Sequence, residues 1–400
     1  MKRKTLIVVL CVVIASQIPF AYRRYRLARL RTTIGNLSAQ RTPSNASTDE
    51  YVDYKGVIHV HTSLGGHSTG MFSELIGAAK ANELDFVIMT EHPQAEFDTS
   101  AMTLSGIHNG VLFISGNEVA TASGDRLLLI PGSANAASMN SQSTQQIVEQ
   151  QNASGGLSFV AYPGESQNWQ TTTPNGVEVY NLFTNTKQTN RLVLFFDGLW
   201  SYRSYADLMF ANFFARPDEN LRQWDAVITQ TNRKLVAIAG NDAHSNIGLS
   251  LDDETGKELI GIKLDPYERS FRTVRTHVLI RKERGLSRES VIEALAQGHC
   301  YVSYDLFSDA TGFRFSTSDG DKIMGDDLTT NNSVKLLAKS PLMARFQLMK
   351  NGIAIDEKTG LFAEFTPTGT GAYRIEASLT GLTTPAAGKP WVISNPIYLR

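Results

Sequence analysis

Short apolar runs alternate with helical patterns through the middle of the chain. The first run, Val57 to Val60, predicts a strand, and apolar residues at helical spacing from Phe72 to Ala79 predict a helix with Ser68 or Thr69 as its cap. Strands that alternate with helices favour a parallel sheet or βα barrel, because parallel neighbours need crossover connections. Further runs predict strands at Asp85 to Thr90, Val111 to Ser115, Leu127 to Pro131, Leu157 to Tyr162, Val177 to Tyr180 and Leu235 to Ala239.

Residues that commonly bind metals follow four of these runs. His59 and His61 stand two residues apart at the end of the first run, so a strand would project both from one face. In a βα barrel the C-terminal ends of the strands meet at one rim, where we expect a single site. The alternative interpretation is that these are unrelated capping and surface residues. It would require that they follow four strands by chance. The full set is His59, His61, Glu91, His92, Glu118, Asp242 and His244.

The pattern changes towards the C-terminus. A strand from Phe271 to Ile280 and a helix from Ser287 to Ala296 could close the barrel. After about Asp309 the chain has short strand-like runs broken by turns, which predict a small β-sandwich. The predicted divisions are an N-terminal segment 1–35, a polar linker 36–53, a barrel 54–307 and a C-terminal β-domain 308–400.

The N-terminal segment has the pattern of a membrane anchor. An apolar stretch from Leu6 to Tyr22 lies between clusters of Lys and Arg, and as a helix it would reach ~25 Å against a hydrocarbon core of ~30 Å. The alternative is a cleavable signal peptide with Val13 and Ala15 before the cut. Arginines directly after the apolar stretch disfavour cleavage, so the favoured interpretation is an uncleaved anchor. The heavier basic flank on that side predicts a cytoplasmic main domain.

Composition narrows the chemistry. With 42% hydrophobic and 19% charged residues and a formal net charge of -1, the chain has no basic footprint for nucleic acid, so we expect no nucleic-acid partner. The only cysteines, Cys11 and Cys300, exclude a disulfide framework and a thiolate zinc site. Any metal must therefore use histidine and carboxylate ligands. His108, His277 and His299 lie outside the strand-end pattern and are interpreted as ordinary surface or core histidines.

The strand-end motifs, taken in order, resemble those of the polymerase and histidinol phosphatase (PHP) domain. The resemblance covers about 54–303 and is strongest to bacterial PHP-type hydrolases with a C-terminal β-domain. It implies an α/β fold, a distorted seven-stranded βα barrel, with a cluster of metal ions that hydrolyses phosphoesters. The motifs are His59-Val60-His61-Thr62, Thr90-Glu91-His92, Gly116-Asn117-Glu118 and Asn241-Asp242-Ala243-His244.

The resemblance also implies roles for these residues. His92 and His244 would contribute to a second metal, and His67 is the nearest substitute for an aspartate that the family has after its first motif. Asp125 and Tyr162 replace family histidines, which puts one metal position in doubt. The first metal would be bound by His59, His61, Glu118 and Asp242. The candidates for the acid or base are His244, Tyr162 and Glu91.

We therefore predict a membrane-tethered, metal-dependent hydrolase of a small phosphoester. It would use divalent zinc, manganese or iron, with two ions expected. One alternative is a catalytically weakened PHP fold that acts as a membrane-anchored binding or scaffold module, and another is a hydrolase of non-phosphate esters or carbamates. The resemblance favours a periplasmic or other extracytoplasmic location, against the basic-flank signal.

Overall fold

A computed structural model describes residues 2–42, 50–166, 168–182, 190–246, 248–252, 258–263, 265–329 and 334–400. The helices α1 to α8 are, in order, Lys2–Ala39, Phe72–Ala81, Thr99–Met102, Thr144–Ala153, Arg191–Met209, Asp218–Thr231, Tyr267–Ser270 and Arg288–Gln297. The strands β1 to β10 are Tyr51–Val60, Phe86–Met89, Gly106–His108, Val111–Ile114, Asn117–Ala120, Arg126–Ile130, Leu157–Ala161, Gly176–Asn181, Val236–Gly240 and Gly248–Asp252. The strands β11 to β20 are Glu258–Lys263, Arg275–Arg281, Cys300–Ser303, Arg314–Thr317, Asp327–Leu328, Leu336–Lys350, Ile353–Phe365, Gly371–Leu379, Val392–Ser394 and Ile397–Leu399.

The fold is mixed α/β, and its larger sheet joins the N-terminal and C-terminal parts of the chain. Its strands follow the order β14-β16-β18-β19-β13-β12-β1-β2-β4-β3. β1 pairs in parallel with β2 and antiparallel with β12. β13 pairs antiparallel with β19, so the C-terminal strands continue the sheet that contains β1. The predicted separate β-sandwich is therefore not confirmed.

A second sheet has the order β5-β6-β7-β8-β9, and its strand β9 contacts β1, β12 and β13 of the first. Single parallel bridges connect the two sheets, from Val60 to Ala243 and from Glu91 to Asn117. In the described strands no continuous ladder closes the ring, so the predicted closed barrel is not confirmed. The bridges nonetheless bring the ends of β1, β2 and β9 and the start of β5 to one place.

Burial explains the apolar runs in the sequence. β2, β4, β7, β8 and β9 are buried at every position, since protein covers both faces of each strand. Ile58, Ile88, Phe159 and Ile238 belong to one core cluster beneath the strand ends. These strands therefore form a rigid base for the polar residues that follow them.

Helix α1 has two different halves. Its apolar N-terminal half is exposed, and its length and composition make it a candidate membrane span. Leu27, Leu30 and Leu37 in the second half are buried, and Leu30 and Leu37 belong to the main core. The helix continues to Ala39 and β1 begins at Tyr51, so both ends of the predicted linker are regular structure; residues 43–49 lie outside the described residues.

Candidate metal centre

The centre is built on a distortion at the end of β1. The pairing with β2 shifts register between Ile58 and Val60, and His59 between them has a φ of +67°, in the left-handed region that few non-glycine residues adopt. The His59 and His61 side chains are both fully buried, with their ring centroids 5.1 Å apart. This bulge gives the two histidines of the first motif a common site.

Two carboxylates from other strands meet these histidines. The Oε2 atom of Glu118, on β5, lies 3.1 Å from His59 Nε2 and 3.3 Å from His61 Nε2. The Oδ1 atom of Asp242, just after β9, lies 3.5 Å from His59 Nε2 and 3.6 Å from His61 Nε2. The structure thus brings together the four residues that the family resemblance assigned to the first metal.

His92 and His244 complete the cluster from either side of His61. Their ring centroids lie 4.6 Å and 4.5 Å from that of His61, and both pairs are stacked. Nδ1 of His244 lies 2.8 Å from the carbonyl oxygen of Asp242. Because a carbonyl oxygen only accepts, Nδ1 of His244 donates, and Nε2 of the neutral ring keeps its lone pair.

The donor set fits a divalent cation. Within the described part of the chain, Oδ1 of Asp242 and both ring nitrogens of His61 are buried without a hydrogen-bond partner. Buried polar atoms normally have partners, so three such atoms in one cluster fit a role as ligands of a cation. Imidazole nitrogen and carboxylate oxygen are ligands of zinc, manganese and iron. Two overlapping donor groups are present, His59-His61-Glu118 and His61-His92-His244.

Electrostatics separates the histidines of the cluster. Burial lowers the pKa of His59, but the nearby carboxylates, Glu178 first, raise the pKa well above its ordinary value. Burial lowers the pKa of His61, and burial together with electrostatic repulsion between neighbouring histidines lowers the pKa of His92 to about 4. Metal ligands must be deprotonated, so His61 and His92 are already in the ligating form at neutral pH.

Glu178 is a site residue that sequence reasoning missed. Its Oε1 atom lies 2.6 Å from Nδ1 of His59, and its Oε2 atom accepts a hydrogen bond from Asn181. Gly240 on the next strand provides the room, because a Cβ atom there would lie 1.5 Å from Oε1 of Glu178. A carboxylate in the middle of the mostly apolar β8 run was the available signal. Glu178 orients His59, as carboxylates behind the histidine ligands of many metal sites do.

Glu91, a predicted acid or base, has a different set of contacts. Its carboxylate accepts hydrogen bonds from the Thr62 amide at 2.9 Å, the Thr62 hydroxyl at 2.6 Å and the Thr103 hydroxyl at 3.1 Å. Both of its oxygens are therefore engaged in fixing the loop that follows His61.

The two departures from the family pattern also differ. The Tyr162 hydroxyl donates to Oδ2 of Asp242 at 2.6 Å, and burial together with Asp242 raises the pKa of this phenol. Asp125 instead accepts a hydrogen bond from Thr144 at 2.6 Å. Its neighbour Arg126 approaches the centre, with one guanidinium nitrogen 3.4 Å from Oε1 of Glu118. Arg126 is a second residue that the sequence reasoning missed.

His67 lies at the edge of the cluster. Its side chain is exposed, and its ring centroid lies 4.9 Å from that of His92 in an edge-to-face arrangement. In the part of the chain that the structure describes, His67 is outside the close donor groups. Its predicted role as a ligand stays a prediction.

Searches with protein-family models and among curated proteins gave no match. Among solved structures, the chain is similar to a two-domain protein from Bacteroides vulgatus described as containing a predicted PHP-like metal-dependent phosphoesterase, with 17% identity, a TM-score of 0.40 and coverage of 90% of this chain and 98% of that one. It is also similar to PsfC from Pseudomonas syringae, with 14% identity, a TM-score of 0.37 and coverage of 63% and 92%. A third is the lesion-specific endonuclease EndoQ from Pyrococcus furiosus, with 14% identity, a TM-score of 0.37 and coverage of 61% and 56%.

The expectation that this chain has no nucleic-acid partner stays a prediction. The first of these similar structures is described as a PHP-like metal-dependent phosphoesterase, which is the class that the ordered sequence motifs resemble.

Proposed function

We propose that this protein is a metal-dependent hydrolase and that its substrates are phosphoesters. The observation that supports this most directly is the buried His61 ring, whose two nitrogens have no hydrogen-bond partner in the described structure although carboxylates and histidines surround it. A cluster kept only as a scaffold would have no need of such donors, because unsatisfied buried polar groups cost about 1–3 kcal/mol each. The binding-module alternative is therefore disfavoured.

Residues around the ligands give the centre its geometry. Glu178 fixes the ring of His59, and the Tyr162 hydroxyl fixes one oxygen of Asp242 so that the other faces the histidines. A divalent ion bound there would polarise the ester and lower the pKa of a water molecule to about 7. The two donor groups that share His61 support the expectation of two ions.

Proton transfer is assigned to His244. Its Nδ1 atom donates to the Asp242 carbonyl, so its Nε2 atom would serve proton transfer when an ion occupies only the His59-His61-Glu118 group and would be a ligand when a second ion is bound. The side chain is 13% exposed and can reach substrate. Tyr162 keeps its proton because its pKa is raised, so it acts as a hydrogen-bond donor to Asp242. Glu91 has both oxygens engaged by Thr62 and Thr103, and it acts by positioning the loop.

The choice of phosphoesters over other esters depends on Arg126. Its guanidinium group lies beside Glu118 and is about half exposed, so it can turn towards the oxygens of an anionic substrate. Arginine matches phosphate oxygens with two parallel hydrogen bonds, which a neutral acyl ester or carbamate would not require. Loss of Arg126 should thus impair phosphoester hydrolysis selectively.

The test uses the full chain in detergent, with metal analysis and assays on p-nitrophenyl phosphate, its diester and p-nitrophenyl acetate. We expect about two equivalents of transition metal, turnover of a phosphoester that a chelator abolishes, and loss of both in His59→Ala and Asp242→Ala. His108→Ala, a histidine outside the centre, is the matched control. Absence of metal and of turnover after addition of manganese, zinc or iron would refute the proposal, and turnover of the acetate alone would reassign the substrate.

A further inference from the structure

Helices α1 and α5 pack against each other beside the candidate membrane span. The Arg23 guanidinium donates to both carboxylate oxygens of Asp197 at 2.7 and 2.9 Å, and the Asp197 side chain is only 3% exposed. The ring centroids of Phe20 and Phe196 lie 5.0 Å apart. Arg23, in the basic flank of the apolar stretch, thus holds α5 against α1. This role is separate from any influence of the basic flank on membrane orientation.

The exposed surface of α5 is apolar where it meets the span. Leu192, Phe195 and Leu199 are 69%, 57% and 68% exposed. Trp200 is 36% exposed, and its indole nitrogen donates to the side chain of Gln17 within the apolar stretch at 3.0 Å. The exposed residues of α5 therefore continue the apolar surface of α1. Such a continuous surface is significant because exposed apolar residues usually occur singly and scattered.

A cationic cavity lies on the polar side of this surface. It has a volume of about 600 Å³ and is lined by residues of α1, by α5 beginning at Tyr202, and by residues in and after α7. The ligands of the metal centre do not line it. The arginines that line it are Arg31, Arg203, Arg269, Arg272 and Arg275.

The arginines outnumber the acids of the cavity. Arg269 and Arg272 share Asp207, at 3.1 and 2.7 Å, and Arg275 pairs with Asp305. Among the described residues, Arg31 and Arg203 have no carboxylate partner within 4.0 Å. The guanidinium of Arg31 donates to the carbonyl oxygen of Ser204 and lies over the ring of Tyr205, so it is positioned but not neutralised.

We propose that this cavity binds the phosphate headgroup of an anionic phospholipid while the apolar side of α5 contacts the lipid tails. Guanidinium groups bind phosphate oxygens bidentately, and each Arg near an anionic membrane surface adds attraction of its own. Trp200 lies at the boundary between the two surfaces, two residues before Tyr202, the first cavity residue of α5. The lipid site is separate from the hydrolase centre and does not depend on its activity.

The experiment places the full chain in nanodiscs and uses Trp200 as the reporter. The remaining tryptophans, Trp169, Trp224 and Trp391, are fully buried, so brominated lipid should quench Trp200 selectively. Two nanodisc preparations have the same ratio of phosphatidylcholine to phosphatidylglycerol. In one the phosphatidylcholine chains are brominated, and in the other the phosphatidylglycerol chains are brominated. We expect quenching by both, at least about threefold stronger per molecule of brominated phosphatidylglycerol, and its loss in Trp200→Phe.

The controls separate the headgroup from the apolar contact. The double variant Arg31→Gln/Arg203→Gln should quench equally with both brominated lipids, whereas Arg222→Gln/Arg284→Gln, at exposed arginines elsewhere, should keep the preference. Equal quenching in the unmodified protein would overturn the headgroup site. Loss of the preference in millimolar inorganic phosphate would also overturn it, in favour of a free-phosphate site. No quenching by either lipid, or unchanged quenching in Trp200→Phe, would overturn the contact of α5 with the membrane.

Discussion

Two buried clusters of histidine and carboxylate side chains lie at opposite ends of β1, and among the described residues they differ in whether their donor atoms have hydrogen-bond partners. The first surrounds His277 on β12. Its Nδ1 atom lies 2.9 Å from Asp53 Oδ1, at the start of β1, and its Nε2 atom lies 3.3 Å from Asp305 Oδ2. These two carboxylates outweigh the effect of burial and raise the pKa of His277 to about 10. His277 is therefore a core histidine, as one of the two sequence interpretations had it, and it is a charged centre of the fold.

The acids of the His277 cluster also have cationic partners. Arg314 lies 3.2 Å from Asp53, Arg275 lies 3.2 Å from Asp305, and Lys55 lies 2.9 Å from Asp309. His277, Asp305 and Asp309 have donor atoms close enough to hold an ion. Their charges are already balanced by the protein itself, so this cluster stabilises the fold.

The metal centre differs in that its charges are not balanced by arginine or lysine to the same extent. Two carboxylate oxygens, of Glu118 and Asp242, face the Nε2 atoms of His59 and His61. A proton or a metal ion is needed between them. The comparison teaches that residue types alone do not distinguish the two clusters, whereas the unpartnered atoms of His61 and Asp242 do.

The largest effect on stability should come from removing His277 from its cluster. His277→Leu would leave Asp53 and Asp305 buried with one cation fewer, and we expect the free energy of unfolding to fall by about 3–5 kcal/mol. Urea unfolding of the full chain in detergent measures it. A fall no larger than that of His108→Leu would contradict the assignment of His277 as a charged centre.

The second expected effect is on metal affinity. Glu178→Gln removes the charge that orients His59 and favours metal binding, and we expect affinity to fall at least about 10-fold. Competition with a chromogenic chelator measures the change, and Glu149→Gln on the surface of α4 is the control. Unchanged affinity would show that Glu178 belongs to the fold and not to the centre.

The pH dependence of stability should show the loss of the charge of His277 as pH rises. Its folded pKa of about 10 lies above its unfolded pKa of about 6.5, so its contribution is complete below pH 6.5 and is lost as pH rises towards 10. We expect the unfolding free energy to decline by up to about 1.4 kcal/mol per pH unit in that window. The slope should flatten in His277→Leu, and an equal slope in both proteins would argue against this assignment.

The smallest expected change in stability is the most informative about the metal centre. His61→Leu replaces a buried ring without hydrogen-bond partners by an apolar side chain, so we expect the chelator-treated protein to gain about 1 kcal/mol of stability. The same variant should lose its metal. The same substitution at His277 and His61 would thus change stability in opposite directions, and a loss in both cases would remove the distinction between the clusters.

Much of the local structure could be predicted from the sequence. The run Val111 to Ser115 is β4, Leu157 to Tyr162 is β7, and the helix predicted at Ser287 to Ala296 is α8 with Ser287 as its N-cap. These elements were visible because their side chains are either uniformly buried or periodic. The predicted cap of α2 is wrong, since Met71 stands at that position without a side-chain cap.

Long-range features could not be predicted in the same way. The bulge at His59 depends on the register with β2, and the pairing of Glu178 with His59 joins residues 119 positions apart. β17, which spans Ile353–Phe365, was missed because it is mostly exposed and has no apolar alternation. The pairing of β13 with β19, which merges the predicted C-terminal domain into the main sheet, leaves no local signal in either strand.

The continuity of α1 has a practical consequence for preparing the protein. A chain shortened to begin at Tyr51 would seem a natural soluble version, but it would lack Leu30 and Leu37 of the core and would leave Asp197 buried without Arg23. Each buried leucine contributes about 2–5 kcal/mol, so such a preparation should aggregate. A chain that begins near Phe20 keeps these contacts and discards most of the exposed apolar half, and it is the better starting point for crystallisation.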